Sequence, residues 1–109
     1  MALQSNIRVD DLHGLSDTQW DRITEVLRRR PLVTGAILYG SRAKGCHSPH
    51  SDVDLVLEGE LDELTAASVA SELDELPMPY KFDVQALSTI TFQPLLEHIA
   101  RVGIRVNAR

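Results

Sequence analysis

The chain has 109 residues, 43% of them hydrophobic and 25% charged, with a formal net charge of -5. That is the size of one domain with one core, and no apolar run reaches the roughly eighteen residues that span a bilayer. An acidic balance argues against a module dedicated to long nucleic acid, because phosphate neutralisation needs a basic face.

The opening MALQSNIRVDDL has neither the basic segment nor the apolar core of a secretory signal, and the single Cys46 leaves no internal disulfide framework. The expectation is one domain over residues 1–109 in a reducing cytoplasm. Ser16-Asp-Thr-Gln19 reads as a capping box, so a first helix starts at Asp17, places Trp20, Ile23, Val26 and Leu27 on one apolar face, and stops after Arg30 at Pro31. Val33 to Tyr39 is a short apolar run that suits a buried first strand, ending at Gly40-Ser41. Ser41 to Ser51, with Gly45, Ser48 and Pro49, punctuates rather than packs; it reads as a loop with room for one helical turn at Ser41 to Lys44.

Asp52 to Glu58 is the second strand. Leu61, Leu64, Ser68, Leu73 and Leu76 are spaced for a second long helix that ends before Pro77. Tyr80 to Leu87 alternates as a third strand, Phe92, Leu95, Leu96, Ile99 and Val102 place a last helix before Gly103, and Ile104 to Val106 can add a short edge strand. This order predicts an α/β or α+β domain with one small mixed sheet: strands two and three parallel across their helix, strands one and two free to pair antiparallel.

Within that frame the segment LYGSRAKGCHSPHSDVDLVLEG is the anomaly. Residues two apart share a strand face, so Asp52 and Asp54 point the same way, and like charges that close are costly unless a cation or water answers them. Asp83 is a third carboxylate, between Phe82 and Val84 in an otherwise apolar strand. If strands two and three are neighbours, the three aspartates offer hard oxygen ligands that suit Mg²⁺ or Mn²⁺, and no Cys or His cluster has zinc spacing. Gly40 lets backbone approach an anion, and Ser41 adds a hydroxyl donor for phosphate. A P-loop is excluded, because Gly45 is followed by Cys46 where that motif needs a lysine.

These residues resemble the nucleotidyltransferase superfamily that includes DNA polymerase beta: Gly-Ser, a spacer, Asp-x-Asp, then a third acidic residue on a later strand. At ordinary residue usage a four-residue match at one fixed spacing arises by chance in about two chains per thousand of this size. GSRAKG followed by SDVDLVL is similar to the minimal nucleotidyltransferase (MNT) group. The resemblance implies a polymerase beta-like fold and a metal-dependent transfer of a nucleoside monophosphate, AMP from ATP in the first instance. It implies Asp52, Asp54 and Asp83 as catalytic residues and ligands of two Mg²⁺ ions, with Mn²⁺ as the alternative. Gly40 and Ser41 become phosphate contacts, with Arg42 and Lys44 as further nucleotide-binding candidates. It also implies a partner: MNT proteins pair with small helical HEPN proteins, some as antitoxin and toxin, the transfer then falling on a tyrosine of the toxin within a hetero-oligomer. A catalytically silent module that neutralises its partner by occlusion is the alternative, as is transfer to a small molecule.

Plainer readings cover the rest. The acidic residues from Glu58 to Glu75 read as a solvated helix face before they read as a docking face for a basic partner. His47 and His50, beside Cys46 and Pro49, read as loop surface and stay outside the site.

Overall fold

The structure, a computed structural model, describes residues 13–46, 48 and 50–106. Helix α1 (Asp17–Arg28) begins at the expected capping box. The Gln19 amide donates to the Ser16 hydroxyl at 3.1 Å, and the Ser16 amide donates to the Gln19 side chain at 2.9 Å. The helix closes two residues earlier than the position of Pro31 suggested, because the amides of Arg29 and Arg30 bond to Val26 and Leu27 in a tighter final turn.

Strand β1 (Gly35–Tyr39) runs into the short helix α2 (Gly40–Lys44), which Gly45 closes in a left-handed conformation. Strand β2 (Val53–Glu58), helix α3 (Glu63–Asp74) and strand β3 (Phe82–Ala86) follow. A 3₁₀ turn over Leu87–Thr89, helix α4 (Gln93–Val102) and strand β4 (Ile104–Val106) complete the described chain. The sheet order is β3-β2-β1-β4, with β1 antiparallel to both β2 and β4, and β2 parallel to β3. This is the expected four-strand mixed α+β sheet. The helical crossover makes the β2-β3 pair parallel, while the loop from β1 to β2 lets that pair turn back.

Alternation divides the sheet. Ala36, Leu38, Val53, Leu55, Leu57, Phe82 and Ala86 form one face, packed under α1 and α3 with Ile23, Val26, Leu27, Val69 and Leu73. Tyr39 and Val56 lie on the other face with Ile99 of α4. Trp20 is half-buried against the first cluster rather than fully inside it.

Two expected helix faces need correction. In α3 the inward stripe is Ala66, Val69 and Leu73, while Leu64 is 79% exposed and Ser68 also faces outward. Asp62 caps the helix by accepting from the Thr65 amide at 2.8 Å. Phe92 is the residue before α4 rather than part of its apolar stripe, and is 66% exposed.

The acidic run is partly paired inside the chain. Arg30 donates to Glu72 at 3.0 Å, tying α1's C-terminal end to α3, and Arg105 pairs with Glu58. Glu60, Asp62, Glu63, Asp74 and Glu75 are exposed. Among the described residues, no helix is long and apolar enough to cross a membrane.

Candidate active site

Register brings the candidate carboxylates together. Tyr39 of β1 pairs with Asp54 of β2, and Asp54 pairs with Asp83 of β3, so one row of the sheet reads Tyr39, Asp54, Asp83. Residues directly opposite on neighbouring strands point to the same side, so the row lies on the face that α4 only partly covers. Asp52 stands just before β2 and is exposed, Asp54 is half-buried, and Asp83 is exposed.

The row is electrostatically strained. Partial burial pushes the Asp54 carboxyl up to about 6; the Asp83 and Asp52 charges push the same way, and Arg42 opposes them. Burial, followed by the Asp83 and Asp54 charges, pushes the Tyr39 phenol up to about 12, against a hydrogen bond from Gln85. Gln85 Nε2 donates to the Tyr39 oxygen at 3.1 Å. Tyr39 therefore stays protonated across the physiological range and is a neutral donor beside the acidic row, not a base.

Gly40 closes the site from the end of β1. It has φ +76°, and a Cβ there would overlap the Asp54 carboxylate, so glycine answers both the left-handed backbone and the close approach. Its amide donates to Nε2 of His98 on α4 at 3.3 Å. The His98 ring meets Tyr39 edge-on, with centroids 6.1 Å apart. Ser41 follows, half-buried, at the start of α2.

Arg42 is where the structure departs most from the expected nucleotide contacts. It is 1% exposed, and its guanidinium is spent on backbone carbonyls: Nε and Nη2 on Ser51 at 3.2 and 2.9 Å, Nη1 on His13 at 2.9 Å. The guanidinium also lies 4.7 Å from the Tyr80 ring centroid. Arg42 thus pins the loop between α2 and β2 and reaches Asp54 only through its field, so as a phosphate contact it is corrected to a structural residue. Lys44 is exposed and Cys46 and His50 are exposed loop residues, while His47 lies outside the described residues.

The chemistry of the donor set fits a hard divalent cation. Asp54 and Asp83 are register partners with Asp52 two residues before, and burial first, then the Asp83 and Asp52 charges, hold the Asp54 carboxyl above its ordinary range. Among the described residues no group of three or more His, Cys, Asp or Glu side chains is placed to hold a metal ion. Mg²⁺ is usually held by one or two carboxylates and completes its shell with water and substrate phosphate. Cavities of about 310 and 370 Å³ lie elsewhere, one beside Trp20 and Val106, the other between Ile37 and Leu96. The carboxylate row lies outside both, with Asp52 and Asp83 exposed and Asp54 half-buried.

Sequence reasoning missed three participants. Tyr39 precedes the Gly-Ser pair and Gln85 lies two residues after Asp83, so alternation alone would have placed both on the active face. His98 carried no local signal, being brought to Gly40 only by the docking of α4.

The polymerase beta nucleotidyltransferase model matches residues 21–109. The chain belongs to that family. No curated protein sequence matches it. Among solved structures, a toxin-antitoxin complex with AMP-PNP matches with a TM-score of 0.70 and 20% identity, covering 83% of this chain and 73% of that one. A tri-AMPylated Shewanella oneidensis HEPN toxin in complex with MNT antitoxin matches with a TM-score of 0.65 and 18% identity, over 85% and 72% of the two chains. The toxin-antitoxin MntA-HepT matches with the same score and identity, over 86% and 74%. At these identities the likeness is one of fold.

Proposed function

We propose that this nucleotidyltransferase domain transfers AMP from ATP to a hydroxyl of a protein partner, a tyrosine of a helical HEPN toxin, and so acts as an antitoxin. The observation that carries the reading is the Asp54 carboxylate, in register with Asp83, against the left-handed Gly40 turn. Family membership and the AMP-PNP-bound and AMPylated complexes of similar fold support it.

Each residue has a role under this reading. The backbone of Gly40 and the amide and hydroxyl of Ser41 receive the β- and γ-phosphates, with exposed Lys44 near enough in sequence to add charge. Asp52 and Asp54 would hold Mg²⁺ shared with the triphosphate, and Asp83 would complete the ion on the acceptor side. Bound Mg²⁺ would neutralise charge on the phosphates and favour the ionised acceptor hydroxyl. The hydroxyl oxygen bonds to the α-phosphorus, the bond from that phosphorus to the bridging oxygen breaks, and pyrophosphate leaves; the hydroxyl proton goes to Asp83 or to water. Tyr39, neutral and held by Gln85, borders the carboxylates without competing for protons.

The test separates binding from chemistry. Asp83→Asn should keep much of the Mg²⁺-ATP affinity carried by Asp52 and Asp54 yet nearly stop the AMP mass shift on a co-purified HEPN partner. A wild type that neutralises the partner with no mass change, matched by Asp83→Asn, would make the domain an occluding module instead.

A further inference from the structure

Resting on that reading, we infer that His98 is a positioning residue: it holds the Gly40 amide while the site is empty of nucleotide and yields it to a phosphate oxygen when nucleotide binds. The Gly40 N–H donates to His98 Nε2 at 3.3 Å across 58 residues of sequence. At that length the N–H···N bond is at the long end of hydrogen-bond geometry. The ring is not idly placed, since it packs edge-on against Tyr39 in the row that carries Asp54 and Asp83.

Gly40 has little freedom to present its amide elsewhere. Its backbone is left-handed and lies against the Asp54 carboxylate. One N–H makes one strong hydrogen bond, and an anionic phosphate oxygen is a stronger acceptor than a neutral imidazole nitrogen. Triphosphate binding at this turn therefore breaks the His98 bond. His98 steadies the empty turn, links it to α4, and lowers nucleotide affinity by the worth of the bond it gives up.

A structural anchor and a displaced acceptor behave oppositely when the imidazole is removed. His98→Leu keeps apolar bulk on α4 but cannot accept. It should melt a few degrees lower without nucleotide and bind Mg²⁺-ATP about three- to tenfold more tightly by calorimetry, the range expected for removing one net hydrogen bond from the competition. His98→Gln, whose side-chain oxygen can accept, should stay close to wild type in both. Equal or weaker binding by His98→Leu overturns the inference; if Asp54→Asn loses nucleotide binding in the same series, the nucleotidyltransferase reading stands without it. No binding of Mg²⁺-ATP by the wild type overturns both. Should His98→Leu fail to fold, the wild type decides by NMR. Titration with Mg²⁺-ATP must move both the Gly40 amide and the His98 Nε2 nitrogen resonances, and a stationary His98 Nε2 removes the inference.

Discussion

The two faces of the sheet obey different rules. Under α1 and α3, Leu38, Leu55 and Leu57 are fully buried, and every inward strand position of β1 and β2 is apolar. On the α4 side, Ile37 and Val56 give way to the row of Tyr39, Asp54 and Asp83, in which Tyr39 is buried beside Ile99 of α4, Asp54 is half-buried and Asp83 is exposed. The first face supplies the hydrophobic stabilisation, and that surplus lets the second hold like charges at close quarters. Stability and chemistry are thus separated by the two-residue period of a strand, so neighbours such as Asp54 and Leu55 should respond oppositely to mutation.

The largest effect should come from breaking the covered face. Leu55→Ala removes a fully buried side chain from the middle of β2, and such a cavity costs about 2 to 5 kcal/mol, a large part of the stability of a domain this size. Chemical denaturation should show the midpoint falling steeply. A loss below about 1 kcal/mol would mean that α1 and α3 can close the gap and that the first face is not tightly packed. Gly40→Ala comes next. The left-handed backbone costs a non-glycine residue about 1 to 2 kcal/mol, and the added methyl must displace the Asp54 carboxylate. Stability should fall moderately while nucleotide binding and transfer fall far more. Equal losses in the two would place the turn with the core rather than with the site.

What the sequence revealed follows the same division. Period-two alternation with Gly-Ser and Asp-x-Asp at the strand ends was enough to predict the sheet, its mixed pairing and the meeting of Asp54 with Asp83, because backbone register carries all of these. The rotation of α3 was not legible: Ala66, Val69 and Leu73 meet the sheet, whereas the leucine spacing pointed to Leu64 instead. Arg42 was misread because a cation beside a phosphate turn looks functional until its partners are known, and those partners are carbonyls of Ser51 and His13, which sequence cannot pair with it. His98 escaped for the same reason, since its meaning lies in one long-range contact.

The smallest expected effect sharpens the comparison most, because it has the opposite sign. Asp54 titrates at about 6 in the folded chain against 3.8 for an ordinary aspartate, so between those values the native state binds more protons than the unfolded state. Its favourable contribution to the metal-free chain is full below about pH 4 and is lost as pH rises through about 6. Half exposure and screening reduce the gain from removing this half-buried charge and its repulsion to on the order of 1 kcal/mol. Asp54→Asn should therefore raise the melting temperature by a few degrees at pH 7.5 without metal and by almost nothing at pH 3, where the wild-type carboxyl is largely neutral in both the native and the unfolded state. Added Mg²⁺ with ATP should reverse the order at pH 7.5, since only the ionised wild-type carboxylate gains from a cation. A melting temperature that falls at pH 7.5 without metal would make Asp54 a structural acceptor like those of the covered face's loops, and the separation of the two faces would fail at its central residue.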